Sequence, residues 1–375
     1  LSNSFQVYSG ATAFIGAFQE ALEQCHHSLY IQFSTFEGDS SGRALAGLLL
    51  HKKAQGVDVR LILDYYSDVV VSDVYPIFIH KRAQVAQEMA ETQAVLDELR
   101  AAGIPIKRTA PPGFLGRFML YRDHKKMILL DGQTAFVGGI NVSDHNYAWH
   151  DFMVKMDGPL VATLTQDYLS TWEGQTIALS HSQAQGDWVV NQCAGRYAIF
   201  EEALRMIETA QQSLVIESPY LLGDTIEPAI LRAAYRGVKV RLILPALSNK
   251  IAYRIWVKAM LRYLNHPNIT LYGYEGEHQM THAKLVLVDG RRASFGSCNF
   301  FELEGLTQKE LNIFSDNPDL IRQLQDLIES DIADSTLLAI PSNGWGRFSY
   351  RWLHRFFHWW TGRLLQNPDW KARYC

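Results

Sequence analysis

The sequence predicts an α/β protein made of two duplicated halves, each a mixed β-sheet flanked by helices. Three observations lead there. One ten-residue motif occurs twice, the segments around it recur in the same order, and apolar strands alternate with helix-like runs. The motif reads "DHKKMILLDG" at 123–132 and "THAKLVLVDG" at 281–290. In a strand, residues two apart share a face, so His282 and Lys284 project together while Ala283, Leu285 and Leu287 point the other way; His124 and Lys126 repeat the pattern. Asp131 and Asp289 lie seven residues after their histidines, on the opposite parity, and each precedes a glycine in a turn signal. Their carboxylates are therefore expected to brace the turn instead of touching an imidazole.

The flanking elements follow in order. An apolar strand opens each half, "SLYIQFSTF" at 28–36 answering "SLVIESPYL" at 213–221. A helix-like run comes next ("SGRALAGLLLHKKAQG"; "TIEPAILRAAYRG"), then a β-rich segment, with "QGVDVRLILD" at 55–64 answering "RGVKVRLILP" at 236–245. Another run of helical periodicity precedes the motif strand. Beyond it, "AFVGGIN" with Asn141 answers "ASFGSCN" with Asn299. Two copies of such length are domain-sized halves and not a solenoid. The expected limits are 1–178 for the first half, 179–194 for a linker around the polar "LSHSQAQGDW", 195–335 for the second half, and 336–375 for a basic, tryptophan-rich tail.

At 375 residues and 47% apolar, the chain can bury two large cores or one continuous double core. Cys25, Cys193, Cys298 and Cys375 show no C-x-x-C pairing, and His26-His27 beside Cys25 lacks a second ligand cluster, so a zinc site or disulfide scaffold has little support. Reduced cysteines suit a cytosolic compartment. No run of eighteen apolar residues occurs, so no transmembrane span is expected. The chain opens on Leu1 instead of methionine, which leaves room for an upstream segment, a membrane anchor included.

The formal net charge of -4 is unevenly spread. Residues 341–375 hold six of the 35 Arg and Lys residues against one acidic residue, Asp369, so the tail carries +5 and the remainder -9. Phe348, Trp352, Phe356 and Trp360 recur every fourth residue, beside a row of Arg347, Arg351 and Arg355. Two readings fit, a terminal helix docked on the protein's own core and an end that rests on an anionic lipid surface. The arginines favour the second.

Two histidines, two lysines and two asparagines drawn from duplicated halves suit a phosphodiester. Lysines and amides surround an anionic, oxygen-rich centre, while paired imidazoles divide the work of nucleophile and general acid or base. Two-metal hydrolysis is disfavoured, because it needs clustered carboxylates and the lysines would compete with a divalent cation. No metal and no cofactor are implied.

The double H-x-K-x(4)-D, each copy followed by G-[GS]-x-N, resembles the phospholipase D superfamily. The order of "RDHKKMILLDGQTAFVGGIN", "WHDFMVKMDGP", "SPYLL", "RGVKVRLILP" and "HAKLVLVDG" is most similar to its bacterial cardiolipin synthase branch, nearly throughout residues 10 to 330. The resemblance implies a pseudo-twofold pair of phospholipase D-like halves whose motifs meet in one active site. It implies a catalytic set of His124, Lys126, Asp131, His282, Lys284 and Asp289, in which His124 attacks phosphorus and His282 moves protons. Lys126, Lys284, Asn141 and Asn299 would hold the phosphate oxygens, and the orienting carboxylates would act crosswise, Glu310 on His124 and Asp151 on His282. Three positions stand out. Asp123 occupies a place where many synthases carry asparagine, Gly139 faces Ser297 in the repeat, and "FFELEGLTQKELNI" lacks the arginine-serine step usual in synthases while retaining Glu310.

The activity implied is phosphatidyl transfer, forming cardiolipin or a related diphosphatidyl lipid from phosphatidylglycerol at the cytoplasmic face of a bacterial inner membrane. The alternatives are a phospholipase D hydrolase, a nucleic-acid phosphodiesterase and a non-enzymatic lipid-binding module. The -9 main body would repel nucleic acid, and the complete residue sets argue against a non-enzymatic module. Transfer and hydrolysis share one intermediate, so the sequence leaves the acceptor open, as it does the oligomeric state.

Overall fold

The computed structural model describes residues 2–68, 82–111, 121–175, 177, 182–184, 186–193, 196–223, 225–249, 253, 257, 260–261, 264–278, 280–338 and 352. The chain divides into two compact units, Leu1–Gln185 and Gly186–Cys375.

In the first unit the order is β1 (Ser4–Ser9), α1 (Gly10–Glu23), β2 (Ser28–Phe33), α2 (Ser40–Ala54), β3 (Asp58–Asp64), α3 (Arg82–Ala101), β4 (Ile106–Thr109), β5 (Met127–Leu130), β6 (Thr134–Gly138), α4 (Asp144–Tyr147), β7 (Phe152–Asp157) and α5 (Leu160–Glu173). The sheet runs β1-β7-β6-β5-β2-β3-β4. β2, β3 and β4 are parallel and the other neighbours antiparallel, which makes the sheet mixed as expected. Parallel neighbours need a crossover, and α2 supplies it between β2 and β3. Asp39 caps α2, accepting the Gly42 N–H at 3.1 Å. α1 buries Phe14, Phe18 and Leu22, four residues apart, and Phe18 meets Phe136 of β6 edge-on at 6.1 Å. Ile31, Leu61 and Ile128 complete this core from the sheet.

The second unit repeats the plan with β8 (Asp187–Gln192), α6 (Ala198–Thr209), β9 (Ser213–Glu217), α7 (Ile226–Tyr235), β10 (Lys239–Pro245), β11 (Ile269–Tyr274), β12 (Leu285–Val288), β13 (Arg292–Gly296), α8 (Glu302–Thr307), β14 (Gln308–Ser315), α9 (Pro318–Ala333) and β15 (Ser335–Leu337). Its order contains β8-β14-β13-β12-β9-β10-β11, which matches the first sheet strand for strand, and β15 beyond β11 is among its additions. Phe200, Ile216, Leu242, Val286 and Phe314 build its core. The single bridges Phe36 to Val142 and Leu222 to Phe301 are further repeats of one another.

Two boundaries differ from expectation. Residues 179–194 are not all linker, because Asp187–Gln192 is a fully buried strand paired antiparallel with β14. Its flanks are polar, but Trp188 and Val190 both pack into the second core. The motif strands are also shorter than the sequence pattern, starting at Met127 and Leu285, so each His and Lys sits in the segment leading into its strand, which in the first unit follows a two-residue strand, Arg122–Asp123. Apart from Trp352, which is exposed, the tail beyond residue 338 lies outside the described residues, and with it the aromatic and arginine rows.

The two Asp-Gly turns are alike in detail. Asp131 and Gly132 have φ of 52° and 63°, Asp289 and Gly290 of 52° and 59°, as a type I′ hairpin needs at both central positions. The Asp131 carboxylate accepts backbone N–H bonds from His26, His27 and Ser28 at 2.7–2.8 Å, and Asp289 accepts those of Gln211, Gln212 and Ser213 at 2.7–3.0 Å. Each aspartate thus ties the motif hairpin to the mouth of the central strand. Desolvation pushes both carboxyls up, but these N–H bonds outweigh it and hold them below the usual carboxylate range. A depressed carboxyl stabilises the fold above its unfolded value and loses that contribution as pH falls through its folded value. Asp131→Ala and Asp289→Ala should each cost roughly 1–3 kcal/mol in denaturant melts at neutral pH. The deficit should shrink below about pH 4, where the wild-type carboxylate is protonated too.

Candidate active site

In both units the lysine of the motif folds back onto its own histidine. Lys126 Nζ donates to the His124 carbonyl at 2.6 Å. Lys284 Nζ donates to the His282 carbonyl and lies 2.7 Å from His282 Nδ1. An ammonium has only donors, so Nδ1 of His282 is the acceptor in that contact. Both lysines are 1% exposed. Ammonium groups kept this dry are strong anion-binding groups, because little water competes for them.

The asparagines repeat as closely. Asn141 donates through Nδ2 to Asn146 on α4 at 3.3 Å, and Asn299 through Nδ2 to Glu304 on α8 at 2.6 Å, in each case a residue five further on. Each amide carries a second N–H beyond that bond. The Asn141 carbonyl is fixed by the Ser34 hydroxyl at 2.8 Å and the Thr35 N–H at 3.2 Å.

The two carboxylates differ. Asp151 accepts the Phe152 N–H at 2.8 Å and lies against Gly139, where an added Cβ would fall 2.2 Å from Asp151 Oδ2. At the corresponding place Ser297 donates its hydroxyl to Glu310 at 2.5 Å. Glycine thus makes room for the shorter acid, whereas serine ties down the longer one. Asp131 and Asp289, which the resemblance placed in the catalytic set, have their carboxylates bonded by strand-entry N–H groups, a turn-bracing position as their parity predicted.

Sequence reading missed the layer behind the first motif. Asp123 accepts the Gln32 amide at 2.8 Å, so its carboxylate is engaged on β2. In the second unit the partners swap chemistry, with the Thr281 hydroxyl donating to Glu217. Lys125, between His124 and Lys126, reaches Asp167 at 2.7 Å and Thr171 Oγ1 at 2.8 Å on α5, where the repeat has Ala283. Asp64 ends β3 where the repeat has Pro245, and it bonds the motif segment directly. The signal was available: these are the places where the two copies of one pattern carry residues of different charge.

The family model described as "Cardiolipin synthase, PLD-like domain" matches residues 18–172 and 203–332, one match in each unit. The chain belongs to this family. Its phospholipase D-like halves are similar in sequence to the probable cardiolipin synthase YwiE of Bacillus subtilis, 25% identical over 90% of this chain and 67% of that protein. Cardiolipin synthase A of Pseudomonas syringae is 26% identical over 84% and 66%. The chain spans about two thirds of the length of these curated relatives. Among solved structures, phosphatidylserine synthase of Haemophilus influenzae matches with a TM-score of 0.66 at 13% identity, covering 96% of this chain and 95% of that one, a likeness of fold. No helix among the described residues is long and apolar enough to cross a membrane.

Lys125 and Asp167 form a buried ion pair behind the phospholipase D-like motif. Lys125→Met should leave a buried carboxylate without its ammonium and cost roughly 3–5 kcal/mol. Adding Asp167→Leu should recover most of the loss in thermal melts, since removing both charges also removes the desolvation penalty.

Proposed function

We propose that the chain is a phosphatidyltransferase that forms cardiolipin or a related diphosphatidyl lipid from phosphatidylglycerol. The observation that carries this reading is the pair of matching His–Lys–Asn sets, each with a dry ammonium bonded to its histidine, in a chain of the cardiolipin synthase-like family. In this mechanism His282 starts as the imidazolium, its Nδ1 protonated and released from the Lys284 contact; His124 attacks phosphorus, the P–O bond to the headgroup glycerol breaks, and His282 gives its Nε2 proton to the departing alkoxide, becoming the neutral imidazole. A phosphatidyl group now rests on His124. The hydroxyl of a second phosphatidylglycerol then loses its proton to His282 and attacks phosphorus, the P–N bond breaks, and His124 is restored.

Lys126 and Lys284, with the second amide N–H of Asn141 and of Asn299, neutralise the non-bridging oxygens as charge builds in the transition state. Glu310 and Asp151 serve as the histidine-orienting carboxylates. The buried positions of both acids, and the room or hydroxyl supplied by Gly139 and Ser297, support that role. The substrate is an interfacial lipid, and the cationic tail draws the enzyme to anionic membrane at the cytoplasmic face. Transfer beats hydrolysis because the interface holds a second lipid hydroxyl at high effective concentration beside the phosphohistidine.

Supplied with phosphatidylglycerol vesicles, the protein should release glycerol and accumulate a four-chain diphosphatidyl lipid, read by mass spectrometry. Mostly phosphatidic acid would make it a phospholipase D, and cleavage of nucleic acid with no phospholipid turnover would end the lipid reading. In a His282→Ala variant the covalent phosphatidyl adduct should map to His124; an adduct at position 282 in His124→Ala would reverse the roles. Activity on a soluble short-chain substrate should persist through exhaustive EDTA treatment, and loss restored by one specific ion would overturn the lysine-and-amide mechanism.

A further inference from the structure

The two units hold their motif segments in different ways, and the difference centres on the end of β3. Asp64 is fully buried there. One carboxylate oxygen, Oδ2, accepts the backbone N–H of Asp123 at 2.6 Å; the other accepts the Tyr66 N–H at 2.7 Å and lies 3.6 Å from Arg122 Nη1. Asp123 immediately precedes His124, and its own side chain is bonded by Gln32. Asp64 from β3 thus bonds the backbone of Arg122–Asp123, the two-residue strand that leads into the histidine, while Gln32 holds the Asp123 side chain from β2. In the second unit the same strand ends in Pro245, which offers no side-chain acceptor, while the Thr281 hydroxyl donates to Glu217 on β9 and accepts the Ala283 N–H at 3.4 Å.

We infer that Asp64 is a positioning residue for His124, fixing the backbone from which the nucleophile projects; this rests on the role given to His124 above. The fold alone does not call for a charge here. Pro245 closes an equivalent strand without one, and a buried carboxylate costs desolvation that a nonpolar residue would avoid. That desolvation pushes Asp64 up to about 7, against the pull of Arg122 and of the Asp123 and Tyr66 N–H groups. The neighbouring charged and titratable groups are Arg122 and Asp123 on the motif segment, Tyr65, Tyr66 and Asp68 in the turn after β3, and Arg108 on β4, itself bridged to Asp68. The ionised carboxylate accepts both N–H bonds. Protonation turns one oxygen into a donor and slackens the segment.

Asp64→Asn keeps the volume but sets an amide N–H against one of the two backbone donors. With phosphatidylglycerol vesicles its kcat should fall roughly tenfold to a hundredfold, as for a misplaced reacting group, with KM nearly unchanged. Hydrogen exchange should quicken in the peptide around Asp123 and stay as in wild type in the peptide covering 281–288. Unchanged kcat in an active enzyme, unchanged Asp123 exchange, or equal loosening of both peptides would overturn the proposal. The exchange measurement stands even if the wild type turns over no phospholipid, so failure of the functional reading and failure of this inference are distinguishable. Arg122→Gln supplies a second test should Asp64→Asn fail to fold. Removing the cation raises the Asp64 carboxyl further, so the acid limb of kcat against pH should move up by about half a unit or more. In an enzyme inactive on phospholipid, the pH at which Asp123 exchange quickens should move up instead. An unmoved midpoint would overturn the proposal.

Discussion

The bonds from Asp131 and Asp289 to the strand-entry N–H groups are the constraint on which each site depends. In a strand the side-chain period is two, so a slip of one residue in the motif hairpin would turn His and Lys to the opposite face. Each aspartate prevents that slip twice over. It adopts the left-handed conformation that a two-residue turn requires, and its carboxylate is bonded by three successive N–H groups at the start of the adjacent central strand. The pairs Leu29 with Leu130 and Leu214 with Val288 then follow, and the sheet order is built outward from them. The third letter of the motif acts at a distance from the chemistry, through register.

Duplication fixed the frame, and divergence is confined to what leans on it. The histidine carbonyl takes the lysine in both units, and the asparagine donates five residues ahead in both. Behind this layer the partners exchange chemistry. An amide donates to a carboxylate in Gln32 and Asp123, a hydroxyl donates to a carboxylate in Thr281 and Glu217, and the ion pair of Lys125 with Asp167 has only Ala283 as its counterpart. The first motif segment is therefore held by charged groups on β3 and α5 that the second lacks. Hydrogen bonds to charged groups are shorter and stronger than neutral ones, so these two contacts are additions specific to the segment that carries His124.

Much of this was legible in the sequence because its signals are local. Parity moved Asp131 and Asp289 into turns, and recurrence of four landmarks gave the two halves and their mixed sheets; period-two alternation put His and Lys inside the motif strand, which begins only after them. What escaped was long-range or masked by composition. Asp187–Gln192 reads as polar linker, yet pairing with β14 buries it completely. Asp64 looks like the solubilising end of an apolar strand, and only the approach of the Asp123 N–H, 59 residues away, gives it a task. Gly139 reads in the sequence only as a departure from Ser297 in the repeat, whereas its requirement is the space taken by Asp151.

A lysine bonded to the carbonyl of its own histidine also explains why the spacing between them is two. At that separation the ammonium reaches back over one intervening residue to the carbonyl, and in the second unit to the ring nitrogen as well. Histidine and lysine therefore move as one body, and a shift of either carries the other. Electrostatic catalysis depends on such coupling, since a charge that must reorganise as the transition state forms gives back part of what it stabilises. In the proposed mechanism, an ammonium that is dry before substrate arrives has little reorganising left to do. The energetic burden moves instead to folding, where two nearly inaccessible lysines must be desolvated. The surrounding cores, clamped hairpins and bonded carboxylates are the structure that makes that desolvation tolerable.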